Sequence, residues 1–149
     1  MTLVVEIVER ATDEVRDALN SLIPQLSSRA ERIDDAKLAS IVENPSLTLF
    51  VARNDGAIVG TLTLAVFPIP SGDLAMIEDV VVDESARGLG AGEALVTAAI
   101  AHAAALGASE VDLTSRPSRK AANALYQKIG FKQRETNVYR LMIKVDEVD

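Results

Sequence analysis

Apolar positions change their spacing several times along the chain, and each change marks an element. "TLVVEIVER" (2–10) is a short apolar run rich in β-branched residues and predicts a first strand. Thr12 with Asp13 offers a helix cap, and Val15, Ala18, Leu19 and Leu22 then recur on one helical face until Pro24, which is expected to end the helix. "SSRAERIDDAKLASIVEN" (27–44) predicts a second helix with Ile33, Leu38, Ile41 and Val42 inward, stopped by Asn44-Pro45. β-type runs follow at 47–53 and 57–67. Asn54-Asp55-Gly56 between them is a hairpin signal, because type I′ turns need positive φ at their central residues.

"PIPSG" reads as a loop, and "DLAMIEDVVV" (73–82) as a strand whose unbroken apolar end predicts burial on both faces. From Gly90 to Leu106, Leu95, Val96, Ala99, Ile100, Ala103 and Leu106 keep helical spacing, with Gly107 as the stop. "EVDLTS" (110–115) predicts a strand and "SRKAANALYQKI" (118–129) a helix closed by Gly130. "FKQRETNVYRLMIKV" (131–145) predicts one or two final strands. The order is β-α-α-β-β-β-α-β-α-β without linker or repeat, so residues 1–149 are expected to form one α/β (α+β) domain.

Composition narrows the chemistry. The chain of 149 residues is 48% hydrophobic but only 3% aromatic, so its core is built mainly from Val, Ile, Leu and Ala. It has no cysteine, which excludes disulfides, thiolate metal sites and a cysteine nucleophile. A single histidine, His102, sits in the alanine-rich helix and argues against a histidine metal cage or a serine–histidine hydrolase; no metal is expected. The net charge of −7 disfavours a nucleic-acid partner, because neutralising phosphates needs a basic face. No apolar run is long enough to span a membrane, and the amino end lacks the features of a signal peptide, so a cytoplasmic protein is expected.

Arg87-Gly88-Leu89-Gly90-Ala91-Gly92 lies just ahead of the long helix. The first N–H groups of a helix have no internal partner and carry the positive end of its dipole, and glycines let an anion approach them. A flexible turn is the plain alternative. The Gly-Lys-Ser/Thr of a P-loop is missing. A dinucleotide fingerprint is weakened by Glu93 at its third glycine position and by "DESA" between strand and loop.

The stretch "VVVDESARGLGAGEAL" resembles the acetyl-CoA motif of the GCN5-related N-acetyltransferase superfamily, Arg/Gln-x-x-Gly-x-Gly/Ala, with Arg87, Gly90 and Gly92 at the fixed positions. "ALYQKIGF" resembles a second motif of that superfamily through Ala124, Leu125, Tyr126, Gly130 and Phe131, and the element order is similar over nearly the whole chain. The resemblance implies a single-domain fold with a mixed, splayed central sheet flanked by about four helices. It implies acetyl-CoA as donor, its pantetheine amides on the backbone of Val80, Val81 and Val82, its pyrophosphate on the amides from Arg87 to Gly92, and a homodimer as a common state.

Acetylating an amine requires a base for the ammonium proton and a way to stabilise a departing thiolate. Glu78 is the favoured base and Asp79 the second candidate. The two are expected on opposite faces of their strand, beside apolar neighbours able to raise a carboxyl pKa. The resemblance makes the Tyr126 hydroxyl the proton donor to sulfur; a core-edge aromatic is the alternative. Asn123, one helical turn before it, could reach the pantetheine chain. Arg119 stands where the family commonly carries asparagine, and with Arg116 and Lys120 it forms a basic cluster suited to the 3′-phosphate or simply to solvent. The implied activity is direct acetyl transfer to a primary amine, and the acceptor is not readable. A non-catalytic acyl-CoA sensor on the same fold is the alternative.

Overall fold

The computed structural model describes residues 2–144. Its elements are β1 (Leu3–Ile7), α1 (Asp13–Leu26), α2 (Asp35–Val42), β2 (Leu47–Asn54), β3 (Ala57–Ile69), β4 (Gly72–Val82), a 3-10 turn at Glu84–Ala86, α3 (Ala91–Ala105) and α4 (Lys120–Ile129). The strands form an antiparallel sheet in the order β1-β2-β3-β4. Segment 109–115 touches its open edge through one parallel bridge, Met76 with Asp112.

Helices cover both faces of the sheet. On one, Phe50, Ala52, Leu62, Leu64, Ala75 and Ile77 pack with α3, whose Ala99 and Ala103 are fully buried. These small residues let the helix lie close to the strands. On the other, Leu49 packs with Val15 and Leu19 of α1 and Leu38 of α2. No helix among the described residues is long and apolar enough to cross a membrane.

The structure departs from the sequence expectations in five places. Pro24 lies inside α1 rather than ending it. Proline cannot donate to the carbonyl four residues earlier, here Asn20 O, but in the last turn the loss is one local bond. The second helix starts at Asp35, not Ser27, because Asp34 caps it through Lys37 N at 2.8 Å. The preceding stretch is held out of helix by Asn20, whose amide exchanges two bonds with the Ile33 backbone at 2.7 and 2.9 Å.

The expected "PIPSG" loop is largely strand. Pairing of β2 with β3 ends at Leu47–Ala65, so further along β3 has one neighbour and Pro68 costs no ladder bond on that side. The strand expected at 110–115 shrinks to its single bridge. The final strands expected over 131–145 are absent among residues 131–144, and Val145 lies outside the described residues. A strand exists only where a neighbour completes its ladder, and beyond the Met76–Asp112 bridge neither segment has one among the described residues.

Candidate active site

A bulge in β4 organises the site. Thr63 faces Glu78 and Thr61 faces Val81, so Asp79 and Val80 together oppose Leu62. Asp79 takes up the extra residue with φ 52°, a left-handed conformation that aspartate tolerates better than most. Residues paired across an antiparallel ladder share a face. Glu78 and Val81 therefore both lie on the α1 side, whereas a regular strand would place them on opposite sides. Val80 and Val82 pack toward α3. Glu78 and Asp79 thus stand at a bulge rather than on a regular strand, with Glu78 opposite Thr63 and Asp79 opposite Leu62.

The bulge also changes which backbone groups face outward. Before it, Ile77 N donates to Asp112 O at 2.9 Å and Ala75 O accepts from Asp112 N at 3.0 Å, so the odd positions face segment 109–115. After it, Asp83 N donates inward to Val59 O at 2.7 Å. The odd positions have turned toward β3, so by phase the N–H and C=O of Val80 and Val82 face the outer edge, where nothing outside the β3–β4 ladder bonds them among the described residues. β4 and segment 109–115 thus part into an open cleft just past Asp112.

The rim of that cleft continues into the glycine loop. Asp83 accepts from Ser85 N and from Gln25 Nε2 at 2.8 Å, and Glu84 N donates to Gln25 Oε1 at 3.0 Å, which clips the end of α1 to the strand. Gly88 and Gly90 have φ of 84° and 86°, and an added Cβ at either would meet nothing within 4 Å. Gly90 is the N-cap of α3 without a side-chain bond. The first backbone bond into that helix is Ala94 N to Gly90 O, at 3.0 Å. Among the described residues, the N–H groups from Arg87 to Glu93 donate to nothing. The result is an open nest of donors at the positive end of a helix, with the exposed Arg87 at its start.

Gly92 has a different use. A Cβ there would stand 3.3 Å from Leu125 Cδ2, so this glycine brings α4 against α3. Glu93, whose carboxylate would repel an anion at the nest, is paired with Lys128 of α4 at 3.2 Å.

Through that contact Tyr126, 6% exposed, joins the core beneath the cleft and meets Phe131 edge-on at 5.9 Å. Burial pushes its hydroxyl above the ordinary tyrosine value, and the Arg119 guanidinium beside it works in the opposite direction. The Glu78 carboxyl is held above the ordinary carboxylate range, chiefly by partial desolvation and then by the neighbouring charge of Asp79. Asn123 Nδ2 donates to Arg116 O at 3.0 Å, and Arg116 Nη2 donates to Leu26 O at 3.2 Å. These two residues therefore brace the cleft's far wall against α1.

β4, the glycine loop and α4 thus meet at one cleft, which has Tyr126 beneath it and Glu78 on the opposite face of its strand. A family model described as "Acetyltransferase (GNAT) family" matches residues 12–131. The chain belongs to this family. A putative acetyltransferase from Agrobacterium tumefaciens superposes with TM-score 0.79 at 29% identity, over 95% of this chain and 100% of that one. Glucosamine-6-phosphate N-acetyltransferase from Arabidopsis thaliana shares the fold with TM-score 0.80 at 21% identity, over 95% and 99% of the two chains. So does AAC(6')-Iy in complex with the bisubstrate analogue CoA-S-monomethyl-acetylneamine, with TM-score 0.77 at 20% identity, over 95% and 99%. No curated protein matches the chain.

In this GNAT acetyltransferase, several site features had escaped sequence reasoning. The bulge left one trace, the adjacent exposed Glu78 and Asp79 that break the two-residue period of β4. The Gln25 clip and the Lys128–Glu93 pair left none.

Proposed function

We propose that the protein is an acetyl-CoA-dependent N-acetyltransferase that moves the acetyl group directly to a primary amine. The observation that carries this reading is a continuous strip of outward-facing backbone groups, from Val80 and Val82 on the outer edge of β4 through the unbonded N–H groups from Arg87 to Glu93. The edge suits the amides of a pantetheine arm and the nest suits a pyrophosphate. Ala91 and Gly92 supply helix N–H groups to that nest, and Leu89 links its two left-handed glycines.

The chemistry follows from that placement. The amine nitrogen attacks the thioester carbonyl carbon, and Glu78, whose raised pKa brings it nearer neutrality, accepts the ammonium proton directly or through water. Asp79 contributes by its charge on Glu78. The Val80 N–H faces the thioester oxygen and stabilises the negative charge that develops there. As the C–S bond breaks, the Tyr126 hydroxyl gives its proton to sulfur, and the Arg119 cation makes that transfer easier. With no cysteine in the chain, no acetyl-cysteine intermediate intervenes.

An amino sugar is the acceptor class to test first, since one structural neighbour is a glucosamine-6-phosphate N-acetyltransferase. The decisive experiment is a panel of amines with acetyl-CoA and detection of released thiol, alongside calorimetry with CoA and NAD. Acceptor-dependent thiol release supports the reading. CoA binding without turnover on any amine replaces it with an acyl-CoA sensor, and NAD binding without CoA binding overturns both.

A further inference from the structure

Glu78 stands at the head of an apolar strip that belongs to neither core. The register of β3 with β4 runs unbroken from Thr63–Glu78 to Ile69–Gly72, so side chains alternate between the two faces over that length. Ala65, Phe67, Leu74 and Met76 therefore share the face of Glu78, and Leu47 joins them through its pairing with Ala65. The opposite face confirms the phase, since Leu64, Ala75 and Ile77 lie in the core against α3 and Val66 packs on it. None of the five strip residues packs against either core cluster. Phe67 is exposed and the other four are half-buried. From Glu78 to Leu74 the strip is about 13 Å long at the usual rise of a strand.

The strip and its head differ in chemistry. Among the described residues no cation or hydrogen-bond donor stands beside the Glu78 carboxyl, and the charge that acts on it is the like one of Asp79. A cation placed there would be matched by both carboxylates. Beyond it, the side chains offer no polar group except the weak sulfur acceptor of Met76. Sugar hydroxyls laid along them would lose water without gaining a bond. An apolar arm gains from the same contact, and the unbranched Met76 can adapt to its shape.

We propose that this strip is the acceptor subsite and that the acceptor is a primary amine with an apolar arm, an alkyl- or arylalkylammonium. Its cation sits at Glu78, and its arm lies along Met76, Leu74 and Phe67. Val80 is two residues from Glu78 on the same strand, so a nitrogen held at Glu78 lies beside the edge assigned to the thioester. The transfer step rests on the function proposed above; the binding of the ammonium does not. Fold likeness nominates an amino sugar, and the lining of this face selects against one.

The chain has three methionines, so methyl-labelled methionine gives three nuclear magnetic resonance signals, and Met76→Leu assigns the one on the strip. Butyl-, hexyl- and octylammonium should each shift the Met76 signal saturably. Their Kd should fall about twofold per added methylene, since a half-open face removes about half of each from water. Phe67→Thr, which keeps strand propensity at an exposed position, should flatten that dependence on length. Glu78→Gln should weaken all three ligands about two- to fivefold, as expected for a partly exposed charge pair. A Kd independent of arm length, or glucosaminium binding more tightly than hexylammonium, overturns the proposal. So does a Met76 signal that moves with protein concentration alone, which marks a second copy on the strip. Overhauser contacts from its methyl to Val138 or Ile143 overturn it in favour of the chain's own carboxyl-terminal stretch. No binding readout needs acetyl-CoA. Length-dependent binding without thiol release from any amine would sink the transferase reading and keep the strip as an ammonium site. Thiol release with glucosamine alone would sink the subsite and keep the transferase.

Discussion

Replacing Gly90 by aspartate and, separately, by asparagine isolates the charge at the mouth of the donor nest. The left-handed backbone at φ 86° strains any side chain, but asparagine and aspartate share that cost and an added Cβ meets nothing within 4 Å, so the strain cancels when the two variants are compared. Aspartate adds a favourable interaction with the helix dipole of about 0.3–1 kcal/mol.

For the ligand the sign reverses. A carboxylate about 5 Å from one phosphate charge costs about 3 kcal/mol at an effective dielectric constant near 20. Gly90 is exposed, and solvent screening lowers this to about 1–3 kcal/mol, or about 5- to 150-fold in Kd. Calorimetric titration with CoA should therefore show Gly90→Asp weaker than Gly90→Asn by a factor in that range, while its thermal midpoint is equal or higher. The gap should narrow in high salt. Equal CoA affinity for the two variants would refute the placement of the pyrophosphate on this loop.

Tyr126→Phe should lower turnover at least tenfold with little change in acetyl-CoA affinity, the signature of a contact made in the transition state; steady-state kinetics with CoA titration checks it. Glu78 titrates above its ordinary value in the fold, so the folded protein holds that proton more tightly and stability falls as pH rises from about 4.5 through the folded value. Glu78→Gln should remove that loss in denaturant titrations and also the acid limb of the kcat/KM profile. Arg119→Gln should move the Tyr126 ionisation to higher pH in an ultraviolet titration, because the opposing cation is gone while burial persists. Gly92→Val should destabilise the fold by about 1–3 kcal/mol in urea unfolding, since its branches must displace Leu125 from a contact already at 3.3 Å.

What the sequence disclosed follows the range over which each signal acts. The Asp55-Gly56 turn, with φ of 51° and 90°, and the helix stops at Gly107 and Gly130 were legible because a single residue's backbone preference decides them. The glycine nest was legible for the same reason. Asp34 as a cap was masked by a polar stretch equally compatible with helix, and the decision against it came from Asn20, thirteen positions before Ile33. Strand propensity was readable at 110–115 and 131–144, but propensity names no partner, and a strand exists only when one is in place. At the site, residue types suggested Glu78 and Tyr126, whereas the phase change at Asp79 depends on the register with β3 and cannot be read from β4 alone.

That phase change has a consequence for how this stretch responds to substitution. Past the bulge the edge offers peptide groups, and every residue except proline offers the same ones. In the proposed binding mode the donor takes the place of a missing strand. A side-chain scan over Val80–Val82 would therefore report packing and miss recognition altogether. Only changes to the peptide itself, such as proline or an ester in place of one amide, test what that edge holds. In that mode sequence drift there would leave donor binding intact, and these positions would be free to vary with the needs of the core.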